Sequence, residues 1–393
     1  MPWHEVSIMS QRDEFVALAQ NAPCNLSQLC RRFGVSRKTA YKWLERFRAD
    51  GAAGLRDQSR RPQHAPRHTP PATEQAIVAA RQAHPAWGAR KLWHFLLQQQ
   101  RVAADDLPAP STICAILGRH GLLNPAEALK HQPVQRFEHA APNQLWQMDF
   151  KGDFRLRDTT QTRCFPLTVL DDHSRFALGL RACWDQRTPT VQAELSELFR
   201  RYGLPERMTM DNGSPWGDDG HQPYTRLTVW LLRLDIRVSH SRPYHPQTQG
   251  KDERFHRTLQ AELLRDQAFA DGVQCQHAFD TWRQMYNLER PHQALGYAVP
   301  AQRYQPSARP FPEALPAIEY GPTDQVRKVQ AHGRFSFQGR TYHVSKAFRG
   351  YSVALRLIAD DEWQVYFCQH ALGSINQRTN GTTGSVTHVS ERV

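Results

Sequence analysis

The sequence predicts a multidomain chain in which all-α modules come first, an α/β domain lies in the centre and a small all-β domain ends the chain. Its 393 residues exceed one ordinary domain, since a domain averages roughly 150 residues. Apolar residues recur at helical spacing in the first third, strand and helix patterns alternate in the middle, and short alternating runs follow at the end. Proline-rich stretches separate these regions.

Composition and charge narrow the class of protein. Hydrophobic residues make up 40% of the chain and charged residues 22%, which can support packed cores. No run of about 18 apolar residues occurs, which argues against a membrane-spanning helix and a membrane partner. The N-terminal MPWHEVSIMSQRDEF has no basic segment followed by an apolar stretch, so we expect a cytoplasmic protein.

Cysteine spacing and net charge further narrow the class of protein. The 7 cysteines are scattered and include no CxxC pair, which argues against a disulfide framework and a cysteine-based zinc site. The 50 Lys and Arg residues against 38 Asp and Glu give a net charge of +12. This positive excess favours a polyanionic partner such as nucleic acid.

Proline-rich segments set the domain boundaries. We predict linkers at residues 60–73 and 304–325, because repeated prolines cannot sustain a helix or a sheet interior. A third break runs from His131 to Gln144. The predicted modules span residues 1–59, 74–130, 145–303 and 326–393.

The first module has the pattern of a helix-turn-helix. Two short apolar stripes at helical spacing flank Gly34, which allows a tight turn, and Ser36 can cap the second helix. The exposed start of that helix carries the candidate DNA contacts Arg37, Lys38, Thr39 and Lys42. The alternative is a helical hairpin with an ordinary solvated basic face.

The second module, residues 74–130, is also helical. Pro110 opens an apolar run and Gly121 follows its end, which are typical helix start and stop signals. One interpretation is a second helix-turn-helix, whose Arg90, Lys91 and Arg119 contact DNA phosphates. A helical spacer with Trp87 and Trp93 in its core is the alternative.

Three acids in the central module form a candidate site. Asp149 lies within the apolar strand WQMDF, where a carboxylate is costly unless a partner such as a metal ion compensates. Asp211 ends a second short strand, at the place where open α/β sheets hold their sites. Glu253 lies in the first turn of an amphipathic helix. The three are separated by 62 and 42 residues.

Carboxylate oxygens are the ligands that hard divalent cations prefer. Two aspartates on neighbouring strands and a glutamate on a helix can hold two such ions about 3.5–4 Å apart, an arrangement that supports in-line phosphoryl transfer. The residue types therefore indicate two-metal chemistry on phosphate esters.

The segments WQMDF, DNGSPW and HPQTQGKDERFHRTL resemble the signature blocks of the DDE transposase and retroviral-integrase superfamily, and the match resembles bacterial insertion-sequence transposases. The resemblance covers about Leu145 to Tyr304. It implies a ribonuclease H-like fold, with Asp149, Asp211 and Glu253 as catalytic and metal-binding residues for two Mg²⁺ ions, which Mn²⁺ is expected to replace. Lys251 and Arg254 flank Glu253, so one or both are expected to contact the phosphates of the element end; a solvated helix face is the alternative.

The chain departs from that family in two respects. The spacing of 42 residues before Glu253 is longer than usual, which indicates an inserted loop after Asp211. The N-terminal zinc domain of retroviral integrases is missing, so the helix-turn-helix modules are expected to recognise the element ends.

Other polar residues compete for roles at the site. Asp252 is the main rival of Glu253, because neighbouring residues on a helix point about 100° apart and only one can face the site. The pairs Asp171–Asp172 and Asp218–Asp219 are expected to be solvated turn formers. The histidines of this region are expected to be DNA-contacting or packing residues rather than metal ligands; they are His240, His245 and His256.

The C-terminal module, residues 326–393, contains several short alternating strands, which predict a small β-barrel. Together the predictions describe a transposase of a bacterial insertion sequence, active near the nucleoid. It would bind double-stranded DNA at the element ends and target, act as a homo-oligomer, and cleave and join strands. A structure-selective nuclease of the same fold and a non-catalytic DNA-binding regulator are the alternatives.

Overall fold

The computed structural model describes ten stretches of the chain: residues 8–21, 24–57, 68–123, 138–157, 162–211, 213–217, 224–240, 250–265, 267–378 and 383–388. Most of the predicted linker at residues 60–73 lies outside them, as do Asp218, Asp219 and His245. The chain divides into two compact units, Met1–His68 and Thr69–Val393. Within the described stretches, no helix is both long enough and apolar enough to cross a membrane.

The first unit has a helix-turn-helix arrangement, as the sequence predicts. Its helices are α1 (Ile8–Gln20), α2 (Leu26–Arg32) and α3 (Arg37–Asp50). Gly34 takes a positive φ of 64° between α2 and α3, a conformation that costs glycine little. Ser36 caps α3 by accepting the N–H of Thr39 at 3.1 Å. Apolar residues of all three helices share one core.

The second unit begins with a helical module. Its helices are α4 (Pro71–Ala83), α5 (Ala89–Gln98) and α6 (Pro110–Arg119). Helix α4 therefore starts inside the predicted linker, because Pro71 occupies a first-turn position where its missing N–H costs nothing. Trp87 is fully buried and Trp93 packs beside it. The Gln98 side chain donates to the Tyr297 carbonyl at 3.0 Å, which joins this module to the central domain.

The central domain is built on a six-stranded mixed sheet. Its strands are β1 (Trp146–Phe150), β2 (Phe154–Arg155), β3 (Arg163–Asp171), β4 (Ala177–Cys183), β5 (Arg207–Met210) and β6 (Arg237–His240). The order is β4-β3-β1-β5-β6, and β2 pairs with the start of β3. Strands β1, β3 and β4 are antiparallel, whereas β1, β5 and β6 run parallel.

Four helices cover the two faces of this sheet. They are α7 (Thr188–Tyr202), α8 (Arg226–Arg233), α9 (Gly250–Leu259) and α10 (Gly272–Leu288). Side chains of α7 and α8 share a core with Trp146 and Met148 on one face. Side chains of α9 and α10 share a core with Leu170 and Leu180 on the other. Alternate residues of each strand point to opposite faces, so β1 directs Gln147 and Asp149 toward α9 and α10.

The segment predicted as a linker at residues 304–325 is packed on the central domain. Tyr304 stacks on Phe176 with ring centroids 4.4 Å apart. The Arg309 guanidinium donates to the carbonyls of Pro205 at 2.7 Å, Leu234 at 3.1 Å and Asp235 at 2.7 Å. Proline content excludes regular structure, but it does not prevent such side-chain contacts.

The C-terminal module contains two sheets, and the predicted small β-barrel is not confirmed. The five-stranded sheet has the order β14-β12-β11-β10-β7 and the three-stranded sheet the order β13-β9-β8. Their strands are β7 (Gln325–Lys328), β8 (Arg334–Phe337), β9 (Arg340–His343), β10 (Ser352–Ala359), β11 (Glu362–Phe367), β12 (His370–Asn376), β13 (Thr383–Ser385) and β14 (Thr387–His388). Among the described residues, no strand pairing joins the two sheets into a closed barrel. Both pack around one core, which Val229 and Leu232 of α8 complete.

Candidate active site

Asp149 is positioned by the pairing of β1 with β3. It lies directly opposite Thr168, which is fully buried, so both side chains point to the face that α9 covers. One carboxylate oxygen, Oδ1, accepts the N–H of Phe150 at 2.8 Å. The other, Oδ2, faces α9. The Asp149 side chain is 26% exposed, which leaves it accessible at the edge of this face.

Asp211 follows the last residue of β5. Gln147 of β1 is paired with Thr209 of β5 in a parallel register, and continuing that register by two residues brings Asp149 beside Asp211. The Asp211 carboxylate accepts the N–H of Gly213 at 3.1 Å. Its carbonyl oxygen accepts the Nδ1–H of His240 on β6 at 2.9 Å, which ties the end of β5 to the neighbouring strand.

Helix α9 presents two adjacent acids to different environments. Glu253 is exposed, whereas Asp252 is fully buried. Among the described residues, neither carboxylate oxygen of Asp252 has a hydrogen-bond partner. The structure therefore turns Asp252 inward and leaves Glu253 at the solvent edge. That Glu253 rather than Asp252 faces the site stays a prediction, and this difference in burial agrees with it.

The electrostatics of the cluster are those of crowded negative charges. Burial raises the pKa of Asp149 to about 7, and the charges of Asp211 and Glu253 add to that rise. Burial also raises the pKa of Asp211. The pKa of Asp252 is raised well above its ordinary value by burial and by the charges of Asp149 and Asp172. Each of these acids would be stabilised by a nearby cation.

The donor set fits divalent cations in its chemistry. Carboxylate oxygens with unmet charge and unmet hydrogen bonding are what Mg²⁺ and Mn²⁺ ligate. Across the described stretches, however, no three His, Cys, Asp or Glu side chains already stand in a metal-binding cluster. The charges of Asp211 and Glu253 reach Asp149, so the acids lie near one another without forming such a cluster.

His256, which the sequence analysis expects to contact DNA or to pack, lies beside Asp149 at the candidate site. Its Nε2 lies 2.8 Å from the Thr168 hydroxyl, and its Nδ1 lies 4.0 Å from Oδ2 of Asp149. Burial, together with the positive charge of Lys151, lowers the pKa of His256 to about 4. One signal was available, because His256 follows Asp252 by four residues and therefore shares its helix face.

The Asp171–Asp172 pair is buried, so the expectation of solvated turn formers is wrong. Asp171 accepts hydrogen bonds from the backbone of Asn143 and Ser174 at 2.8 and 2.7 Å. Asp172 forms an ion pair with Lys251 at 2.5 Å. It also accepts a hydrogen bond from Gln147 at 2.8 Å. The turn between β3 and β4 folds inward because these donors surround it.

This ion pair changes the reading of Lys251. Its side chain is only 16% exposed, and Nζ also donates to the Asp172 carbonyl at 3.2 Å. The predicted phosphate contact is thus held in a side-chain pair that anchors the start of α9 to the end of β3. This anchor lies two residues before Glu253.

The remaining predicted DNA contacts fall into two environments. In the second unit Lys91 lies near Arg254, Arg290 and Glu262. Burial, together with the positive charges of Arg290 and Arg254, lowers the pKa of Lys91 to about 7. Arg90 is exposed. In the first unit the residues on the solvent side of α3 are Arg37, Lys38 and Lys42, all exposed. The Thr39 hydroxyl is engaged with Ser36 at 2.9 Å.

Four segments of the chain match known families. Residues 139–246 and 234–300 match the integrase core domain. Residues 39–117 match a homeodomain-like domain, and residues 324–383 match the C-terminal domain of the IS481 family transposases. The matched ranges confirm the resemblance to DDE-type insertion-sequence transposases with a retroviral-integrase-like core.

Individual relatives agree with these matches. The chain is 26% identical over 162 residues to the insertion element IS407 uncharacterized 31.7 kDa protein of Burkholderia multivorans, covering 41% of this chain and 55% of that protein. It is 26% identical over 279 residues to the insertion element IS476 uncharacterized 39.2 kDa protein of Xanthomonas euvesicatoria, covering 69% of this chain and 76% of that protein. The chain thus spans about half the length of the IS407 protein.

Among solved structures, the chain is similar to a chain of the simian T-cell lymphotropic virus intasome in complex with the PP2A regulatory subunit B56 gamma. The identity is 16%, the TM-score is 0.36, and the match covers 71% of this chain and 97% of that one.

Proposed function

We propose that this chain is the transposase of an insertion sequence, which binds the element ends and catalyses metal-dependent DNA cleavage and strand transfer. The observation that carries the proposal is the parallel pairing of β1 with β5. It sets Asp149 beside Asp211 on the face of the sheet that α9 covers, in the part of the chain that matches the integrase core.

The catalytic and metal-binding residues of this proposal are Asp149, Asp211 and Glu253. Their carboxylates would hold two Mg²⁺ ions, for which Mn²⁺ can substitute. When bound, the cations neutralise charge that develops on the phosphate as its oxygens are exchanged. The protein residues keep the carboxylates in place: the Phe150 N–H holds Asp149, the Gly213 N–H holds Asp211, and the Lys251–Asp172 pair anchors α9.

Two in-line displacements account for the products. In the first, water attacks the phosphodiester at the element end and frees a 3′-hydroxyl group. In the second, that hydroxyl attacks a phosphodiester of the target, so a new bond replaces the broken one and the target strand leaves with its own 3′-hydroxyl. No covalent bond between protein and DNA is required in either step.

End recognition is proposed for α3 of the first unit. Its exposed basic residues lie at the start of a capped helix, where a recognition helix meets phosphates and base edges. Because insertion joins two element ends to two target strands, at least two copies of the chain must meet on DNA. The mass of the complex in solution, with and without paired end DNA, measures this. A monomeric complex that joined two ends in concert would contradict it.

The decisive experiment is a strand-transfer assay with purified protein, Mg²⁺ and a duplex that carries the terminal inverted repeats flanking the coding region. The wild-type chain is expected to yield a nicked end and a joined product. Asp211→Asn is expected to lose both by orders of magnitude while DNA binding persists, because the amide keeps the shape and loses the charge. Cleavage without joining would favour the nuclease alternative, and equal activity in the variant would refute the assignment.

A further inference from the structure

The strongest unassigned feature near the candidate site is a hydrogen-bond chain that links α9 to the backbone of β1. The Thr168 hydroxyl donates to the Asp149 carbonyl at 2.9 Å. The same hydroxyl lies 2.8 Å from Nε2 of His256. All three residues lie on the sheet face that α9 covers, and Thr168 has no exposure to solvent.

The hydrogen bonds among Asp149, Thr168 and His256 determine which imidazole nitrogen carries the proton. The Asp149 carbonyl can only accept, so both contacts are hydrogen bonds at once only when the single hydroxyl proton of Thr168 goes to Asp149. The hydroxyl oxygen must then accept from His256, which places the proton of the neutral ring on Nε2. The second nitrogen, Nδ1, consequently carries a lone pair.

This nitrogen lies close to a carboxylate. Nδ1 lies 4.0 Å from Oδ2 of Asp149, and two acceptors at this separation repel each other unless a donor or a cation lies between them. The His256 ring is only 14% exposed and its Nε2 is held by Thr168, so Nδ1 stays beside this carboxylate. The buried carboxyl of Asp252, on the same face of α9, also has no donor within the described part of the chain.

We propose that His256 supplies a nitrogen ligand, Nδ1, to the cation that Asp149 holds, and that it thereby favours Mn²⁺ over Mg²⁺ at this site. The inference rests on the proposed function, because it assumes a divalent cation at Asp149. Imidazole nitrogen suits transition metals, whereas Mg²⁺ strongly prefers oxygen. An all-carboxylate site would lack this selectivity.

The test is a binding measurement on the full chain without DNA, so it does not depend on activity. Mn²⁺ binding is followed by the electron paramagnetic resonance signal of the free ion, and Mg²⁺ binding by competition. His256→Gln places its amide near the Nε2 position and removes the Nδ1 ligand. We expect it to weaken Mn²⁺ binding by about tenfold or more, with a much smaller effect on Mg²⁺.

Two further variants serve as controls. His256→Asn places an amide oxygen near the Nδ1 position and is expected to retain more Mn²⁺ affinity than His256→Gln. His277→Gln changes an exposed histidine on α10 and is expected to bind both ions as the wild type does. Thermal melting of each variant verifies folding, and the nitrogen-15 shifts of the imidazole report whether Nδ1 is unprotonated.

The outcomes separate this inference from the proposed function. If Asp149→Asn abolishes Mn²⁺ binding while His256→Gln leaves both affinities unchanged, the nitrogen ligand is refuted and the carboxylate site stands. A protonated Nδ1 in the nitrogen-15 spectrum would also overturn it. If the wild-type chain binds neither ion and strand transfer also fails, the proposed function falls as well.

Discussion

The two faces of the central sheet differ in what they bury. The face under α7 and α8 is apolar, and aromatic side chains such as Trp146 and Phe199 fill it. The face under α9 mixes apolar residues near α10 with polar ones near the strand ends, including Asp149, Thr168 and Asp252. The first face supports the fold, whereas the second accepts costly buried charge.

In a sheet that is covered on both sides, the face with buried polar groups is the candidate for function. A buried carboxylate without hydrogen-bond partners costs free energy that an apolar residue would not cost. Asp252 and the half-buried Asp149 lie near each other on the same face, so the free-energy cost of buried carboxylates is concentrated on that face. Substitutions on the two faces should therefore separate activity from stability.

We expect the largest effect from substitutions on the polar face, which should lower activity. Glu253→Gln should lower strand transfer by about 10³-fold or more, because it removes a charged ligand at the solvent edge. The matched variant Asp252→Asn should lower it less than about tenfold, since that carboxyl is enclosed in the protein. Strand-transfer rates of both variants measure the contrast. Equal losses would mean that Asp252 shares the catalytic role.

The apolar face should show the converse. Phe199→Ala removes a fully buried ring that packs near Trp146 at a centroid distance of 5.8 Å. We expect a loss of about 3–5 kcal/mol in the free energy of unfolding. Urea denaturation followed by tryptophan fluorescence gives this value. Strand transfer per folded molecule should stay near the wild-type level, and a large specific loss would break the separation of the two faces.

The Lys251–Asp172 pair should give an intermediate effect on stability. Lys251→Met leaves the buried Asp172 without its cation, which should cost about 3 kcal/mol. Asp172→Asn in the same chain should restore part of that loss, because no unpaired charge remains. A double-mutant cycle by urea denaturation measures the coupling. Additive losses would show that the two side chains do not stabilise each other.

The smallest expected effect is on DNA binding. Arg37→Ala should weaken binding to the element end by about 1 kcal/mol and lower the slope of log affinity against log salt by about one unit. Lys251→Met should leave that slope unchanged, since its ammonium is already paired. Mobility-shift titrations at several salt concentrations compare the two. If only Lys251→Met lowered the slope, Lys251 rather than Arg37 would be the residue that contacts the DNA phosphates.

Local pattern predicted much of the fold, and it indicated the three acids, whose catalytic role stays a prediction. The apolar stripes around Gly34 indicate the helix-turn-helix, because helix periodicity and capping depend on residues within about four positions. Alternation in WQMDF places Asp149 on the face opposite Trp146 and Met148 for the same reason. The C-terminal strands follow from signals of similar range, whereas helix α4 begins inside the predicted linker and the barrel closure is not confirmed.

Tertiary structure decided which of these groups are buried and paired. Lys251 meets Asp172 across 79 residues of chain, and His256 meets Thr168 across 88. Residues 304–325 are held by contacts such as that between Arg309 and Pro205, which lie 104 residues apart. Burial and charge pairing depend on partners that only the folded chain brings together, so a local sequence pattern could identify the acids and basic residues but not their partners.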